Sequence, residues 1–507
     1  MNDIISKVQT NYAELLTHAF SSSVREVFTT ASVSELRRFI LQEIEAPALY
    51  MPGHRHPASL LDYKLYELLR HVYDFWRTNS EQLIKAIRSA DSYRLLLPIQ
   101  RFGYDLPRHL RALGIYFDTI LMVDPLHFPS EGKLNEFLDI PPSHPAARQS
   151  RLILLEHVAY LTRVVSLMTL NGEYPLFVVI PEMLDFEKEK DLDESCAFLG
   201  TLFQDQDQEM DFTRYMDFIE SSMSEEGLAR RITNKALLDE MLHRFDNLGN
   251  ETWVLNRETG RFSMKAQELR DYQLSEILLS LIWKVKGAVY SLRSTQYAAA
   301  CLGVDPVVYN GYLFLHKWVS QRLARDYGSI RGPSPEEQAV SMALVSQEVD
   351  FLSAVSDLDL KRIRDDRITL QLRRDIRISR AALQHETQES ISAAASEFGH
   401  NLVSLVQNFG EEVRIAKKRA SRKMAVSGLI FIGTAALGLT ALAIPQFTLL
   451  GFAATATGLL FGGKSVADMV RDHIEGRKTL TALDRSPVSL LYGAYRNYKG
   501  EVERGAS

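Results

Sequence analysis

The sequence predicts a mainly α-helical protein: a multi-helix cytoplasmic body with a small α/β insertion, ending in a two-helix membrane hairpin. Three observations lead there. Apolar side chains recur at spacings of three and four over most of the chain, the period of a helix with one buried face. Two runs rich in Ile, Val, Tyr and Phe, beginning at Gly114 and Tyr174, flank a segment of helical pattern and read as parallel strands joined by a crossover. From Met424 to Gly463 there is no Asp, Glu, Lys, Arg or His, and a bilayer crossing needs about 20 mainly apolar residues.

Composition narrows the class. A chain of 507 residues with 46% hydrophobic and 24% charged residues is long enough for several domains and is not disordered as a whole. The formal net charge of −6 and pI near 6.2 exclude a dedicated nucleic-acid binder. Two cysteines, Cys196 and Cys301, cannot build a disulfide framework, and their apolar neighbours predict buried thiols in a reducing compartment. The first residues, MNDIISKVQTNYAELL, show early acids and a helical period in place of a basic region and apolar core, so no signal peptide is expected.

Residues 1–110 read as helices. Leu60, Leu61, Tyr63, Leu65, Leu68, Leu69, Val72, Phe75 and Trp76 define one face, preceded by the Pro- and Gly-marked loop MPGHRHP. His54 and His56 in that loop lack a third ligand at metal spacing, so no metal is expected there. Residues 111–230 form the α/β segment with its acidic stretch. Asp124 and Glu182 close the two strands, the position where α/β enzymes place metal or acid–base groups, and are the weak catalytic candidates; each also stands beside Pro in a turn-forming pair. Residues 182–226 are strongly acidic and predict a solvated face; DQDQEMD resembles a calcium loop, but Met210 and Met216 stand where the Gly and the bidentate Glu belong.

Residues 231–332 read as helices with a β-hairpin in TWVLNRETGRFSM. One later helix face is formed by Leu274, Ile277, Leu278, Leu281, Ile282 and Val285, another by Tyr312, Leu315, Val319 and Leu323. RGPSPEEQ then separates residues 333–423, a helical stalk. Its Lys361–Arg380 stretch mixes eight basic with three acidic residues, the pattern of a solvated helix. Its last part carries Phe398, Leu402, Leu405 and Phe409 at heptad steps, a short seam for helix pairing or self-association.

Pro445 divides residues 424–463 into a full span and a shorter one. Gly428, Gly433, Gly438, Gly451, Gly458 and Gly462 allow close helix packing in lipid. Lys417, Lys418, Arg419, Arg422 and Lys423 precede the run and Lys464 follows it, while the turn carries no charge; basic flanks stay on the cytoplasmic side, so both termini are expected there, at a bacterial inner membrane. A soluble bundle that buries the hairpin is the competing reading. Residues 464–507 form an amphipathic tail with Tyr492, Tyr495 and Tyr498 at intervals of three.

Gly458–Ser465 satisfies the phosphate-loop expression GxxxxGK[ST], yet the apolar run accounts for the residues before it and no later strand offers a magnesium-binding Asp. No cofactor is expected, and no GxSxG, HExxH, CxxC or GxGxxG signature occurs. Over residues 380–507 the layout is similar in outline to colicin pore-forming domains, and it resembles bacterial defence effectors that join a cytoplasmic sensor to a membrane hairpin. The resemblance implies a membrane-permeabilising effector, with the bilayer, further copies of the chain and a protein or ligand trigger as partners. A tether without a pore and a membrane-anchored metal-dependent enzyme using Asp124 and Glu182 are the alternatives.

Overall fold

The computed structural model describes residues 2–46, 49–52, 56–98, 106–141, 144–170, 172, 174–184, 188–203, 210–221, 225–245, 253–256, 261–264, 272–307, 313–327, 352, 354–365, 370, 373, 490–491 and 493–499. They form a mainly helical protein with a small parallel sheet. The chain divides into two compact units: residues 1–181, 302–307 and 333–507 in one, and residues 182–301 and 308–332 in the other. The hairpin 424–463 with its glycines, the basic flanks Lys417 to Lys423 and Lys464, the seam Phe398 to Phe409 and the phosphate-loop match lie outside the described residues, as do His54 and Tyr492.

The first unit is built on four parallel strands in the order β3-β2-β1-β4: β1 (Arg94–Leu97), β2 (Thr119–Val123), β3 (Phe177–Ile180) and β4 (Asp305–Pro306). RLLL, TILMV and FVVI are apolar but for their first residues Arg94 and Thr119 and are buried at nearly every position, as strands covered on both faces must be. The expected two-strand insertion is therefore too small. β1 falls inside the stretch assigned to helices, because three consecutive leucines have no period that separates strand from helix. β4 is contributed by a two-residue excursion some 200 residues further on, with Val307 N–H donating to Leu96 O at 2.8 Å. That excursion leaves a long helix through Gly303, whose φ of +66° is the left-handed conformation that ends helices.

Helices surround this sheet. α1 (Asn2–Ala19) buries Ile5, Val8, Gln9, Tyr12, Ala13 and Leu16, one stripe at alternating steps of three and one, and packs along α4 (Leu60–Ser89). α4 starts at Ser59, whose hydroxyl caps Asp62 N–H at 3.1 Å, and it buries most of the face read from sequence; Leu60 is an exception, well exposed. Between them α2 (Ser22–Thr30) and α3 (Val33–Ile44, opened by a Ser32/Glu35 capping box) pack on α7 (Pro145–Arg163), while α5 (Leu106–Leu113) and α6 (Glu131–Asp139) flank β2 in the chain. α7 and the single turn α8 (Val165–Met168) form the crossover to β3. A buried ion pair joins α4 to α7: Arg151 Nε lies 3.1 Å from Asp62 Oδ1, both almost fully enclosed. Burial pushes the Asp62 carboxyl up, against the pull of Arg151.

Gln9 replaces a missing strand. β3 is an edge, and its Val179 N–H and C=O point away from β2, where they would be unpaired. The Gln9 side chain, fully buried, takes both: Nε2 donates to Val179 O at 2.9 Å and Oε1 accepts from Val179 N at 2.8 Å. Gln9→Leu fills similar space but orphans a buried donor and a buried acceptor. The first unit is expected to lose about 2–4 kcal/mol, read as a lower denaturation midpoint; an unchanged midpoint would mean that this edge is hydrated.

The second unit contains α9 (Lys188–Gly200), α10 (Phe212–Ser221), α11 (Glu225–Arg231), α12 (Lys235–Phe245), α13 (Leu274–Leu302, passing into the first unit at its last residue) and α14 (Leu313–Tyr327). Strands Trp253–Asn256 and Arg261–Met264 pair antiparallel, Trp253 opposite Met264, and Tyr272–Gln273 adds a third short strand beside the second. On α13, Leu274, Leu278, Leu281, Ile282 and Val285 are buried and Ile277 half-buried; on α14, Leu315, Val319 and Leu323 are buried.

Candidate functional site

Asp124 follows β2 directly, at the carboxyl-terminal end of the parallel sheet, where open α/β sheets place their ligands. Its carboxylate is 2% exposed. Oδ2 accepts from Tyr12 Oη at 2.6 Å and from Trp76 Nε1 at 2.5 Å, and Oδ1 accepts from Leu126 N–H at 2.9 Å. The donors come from α1, α4 and the turn after β2, so one carboxylate ties two helices to a strand end. His127 completes the cluster, its ring 6.4 Å from both Tyr73 and Trp76, nearly parallel to Tyr73, and the Tyr12 ring lies 5.2 Å from Trp76, tilted by 34°. Burial lifts the Asp124 carboxyl to about 6, against three hydrogen bonds that favour its ionised form, and the same burial with the adjacent carboxylate drives the Tyr12 phenol well upward. With protein donors on both oxygens, the group acts in this geometry as a structural acceptor.

Glu182 belongs to the second unit, Asp124 to the first, and the two make separate arrangements. Glu182 Oε1 accepts from Met183 N–H and Leu184 N–H, each at 3.0 Å, and Oε2 accepts from Ser294 Oγ at 2.7 Å. It caps the turn that leaves the sheet and fastens it to α13. Among the described residues no group of three His, Cys, Asp or Glu is placed to hold a metal ion.

The acidic stretch departs from expectation in part: Asp191, Glu194 and Glu182 are buried, while Asp217, Glu220 and Glu226 are exposed as expected. Arg293 Nη1 lies 2.9 Å from Asp191 Oδ1, and its Nη2 lies 3.8 Å from Asp326; Glu194 sits 3.6 Å from Arg322 Nε and 3.5 Å from Arg325 Nη2. Burial raises the Glu194 carboxyl although the arginines pull it down. Arg322 also covers the Trp318 ring at 4.9 Å, and Phe198 meets that ring edge-on. The neutralising arginines lie a hundred residues or more from their acids, and a window of sequence holds no trace of such a pairing.

In the Lys361–Arg380 stretch Lys361, Arg362 and Asp365 are exposed as expected of a solvated helix, whereas Arg364 and Arg373, 4% and 2% exposed, are enclosed in the first unit. Cys196 is buried as predicted, its thiol pushed up to about 12 by burial, whereas Cys301 is half-buried. In the tail, Leu491 and Ala494 are buried and Tyr495 and Tyr498 half-buried.

Among the described residues no helix is long and apolar enough to cross a membrane. Comparisons with protein-family models, with curated proteins and with solved structures find no match for this chain.

Proposed function

We propose that this chain is a bacterial membrane-associated effector or sensor in which residues 1–423 control the hairpin 424–463. Hairpins brought together through Phe398, Leu402, Leu405 and Phe409 permeabilise or depolarise the inner membrane in response to a protein or ligand trigger. The bulk of the chain and both termini are cytoplasmic on this reading. The observation that carries it is the uninterrupted absence of ionisable side chains from Met424 to Gly463 between basic flanks. Two features of the described residues are compatible with a controlling body more than with a catalytic one. Asp124 and Glu182 each have both oxygens occupied by protein donors, and their roles are to hold helices and turns in place.

Expressed cells fractionated while membrane potential is followed test this. Wild-type protein is expected to stay in the membrane pellet through carbonate extraction and to depolarise the cells. Leu437→Asp together with Leu459→Asp, each a charge at mid-span, is expected to release it and restore the potential. Carbonate extraction of the wild type would overturn the membrane assignment, and a pelleted wild type with undisturbed potential would leave a tether without a pore.

A further inference from the structure

We propose that the helix Asp357–Asp365, with Arg373 beyond it, forms a latch that unseats from the amino-terminal end of the sheet and, when seated, restrains the hairpin; the restraint rests on the membrane-effector reading, the latch itself does not. The helix α15 (Asp357–Asp365) buries Leu360 and Ile363 against the first unit. At its start, Asp357 Oδ1 accepts from Arg111 Nε at 2.9 Å and Oδ2 from Ser166 Oγ at 2.6 Å. At its end, Arg364 donates to the carbonyls of Gly114, Phe117 (3.0 Å), Asp118 (2.7 Å) and Tyr174 (3.4 Å). Arg373 then donates from Nε to Asp118 Oδ1 at 2.8 Å and from Nη2 to Arg364 O at 2.9 Å, and its buried Nη1 has no hydrogen-bond partner among the described residues.

Two features make this attachment separable. The carbonyls that Arg364 engages all precede the first residues of β2 and β3, outside the ladder that starts at Thr119 and Phe177. Unseating the segment therefore hydrates four carbonyls and leaves strand pairing intact. Among the described residues the charge is also poorly balanced, with two enclosed guanidinium groups facing one enclosed carboxylate, Asp118, whose other oxygen is taken by Tyr93 N–H at 2.7 Å, and the exposed Asp365 as the further acid acting on Arg364. Burial and the neighbouring Arg373 both disfavour the charged Arg364, pulling it down to about 9. Buried charges held by a single enclosed counter-ion are specific yet close to break-even, so the seated state depends on Asp118 more than on any apolar contact. The chain that leaves Arg373 leads to the seam, the basic cluster and then Met424.

Amide hydrogen exchange on the full chain tests the latch. Asp118→Asn removes the enclosed carboxylate that both guanidinium groups share. Amides of 357–365 are expected to exchange about tenfold faster or more, while strands 94–97, 119–123 and 177–180 keep their protection. Asp357→Ala, at the half-exposed end of the segment, is the variant whose folding is not in question and is expected to give a smaller acceleration in the same amides. Strands that loosen together with 357–365, or amides of 357–365 that respond to neither variant, overturn the latch. Both variants are also expected to depolarise cells at lower expression than the wild type. Faster exchange with unchanged depolarisation overturns the restraint and keeps the latch. If no form of the protein reaches the membrane, the effector reading and the restraint both fail, and exchange alone decides the latch.

Discussion

Arg293→Met is expected to destabilise the second unit by about 3–5 kcal/mol, the usual consequence of removing one partner from an enclosed ion pair. Arg293 is 4% exposed and lies between Asp191, 3% exposed, and Asp326. Methionine fills much of the volume and supplies no charge, so Asp191 remains enclosed without the guanidinium that stood 2.9 Å from it. The double variant with Asp191→Leu removes the stranded carboxylate as well and is expected to recover most of the loss. Denaturant unfolding followed by tryptophan emission reads this, since Trp253, Trp283 and Trp318 all lie in the second unit and Trp76 alone in the first. A single variant as stable as the wild type would show that the pair is hydrated, and the arrangement around α9 would need revision.

Asp124→Ala is expected to cost the first unit about 3–5 kcal/mol. Tyr12 Oη, Trp76 Nε1 and Leu126 N–H lose their acceptor together, and an enclosed donor left unpaired costs roughly 1–3 kcal/mol. The same carboxylate makes stability depend on pH in a direction opposite to that of a salt-bridged acid. Its folded-state value, about 6, lies above the ordinary value of 3.8. Below both values the carboxyl is protonated in either state and its full contribution is present. As pH rises from about 4 to 6 the unfolded chain releases its proton first, so stability falls, by up to about 3 kcal/mol. Asp62 and Glu194 shift in the same direction, so the Asp124 share is the part of the pH 4-to-7 decline that disappears in Asp124→Asn. An Asn variant with an undiminished decline would place the Asp124 titration below 4.

Helices and parallel strands were legible because their signals are local. The α1 and α4 stripes repeat at the helical period, and TILMV and FVVI are β-rich runs long enough to stand out. Asp124 and Glu182 were legible as strand-end acids for the same reason. Their occupation by Tyr12, Trp76 and Ser294 was not, since each of those partners lies 48 residues or more away.

The sequence by itself determined the periodicities, the uncharged run with its basic flanks and the lack of any local catalytic signature, because these are properties of neighbouring residues. Only the tertiary structure decided that RLLL and Asp305–Pro306 join the sheet, that Gln9 completes its edge, and that Asp191, Glu194, Arg364 and Arg373 are enclosed. The physical reason is the same in each case. A charged or amide side chain looks solvent-facing in sequence because burial costs it free energy, and what offsets that cost is a partner brought close by the fold from a remote part of the chain.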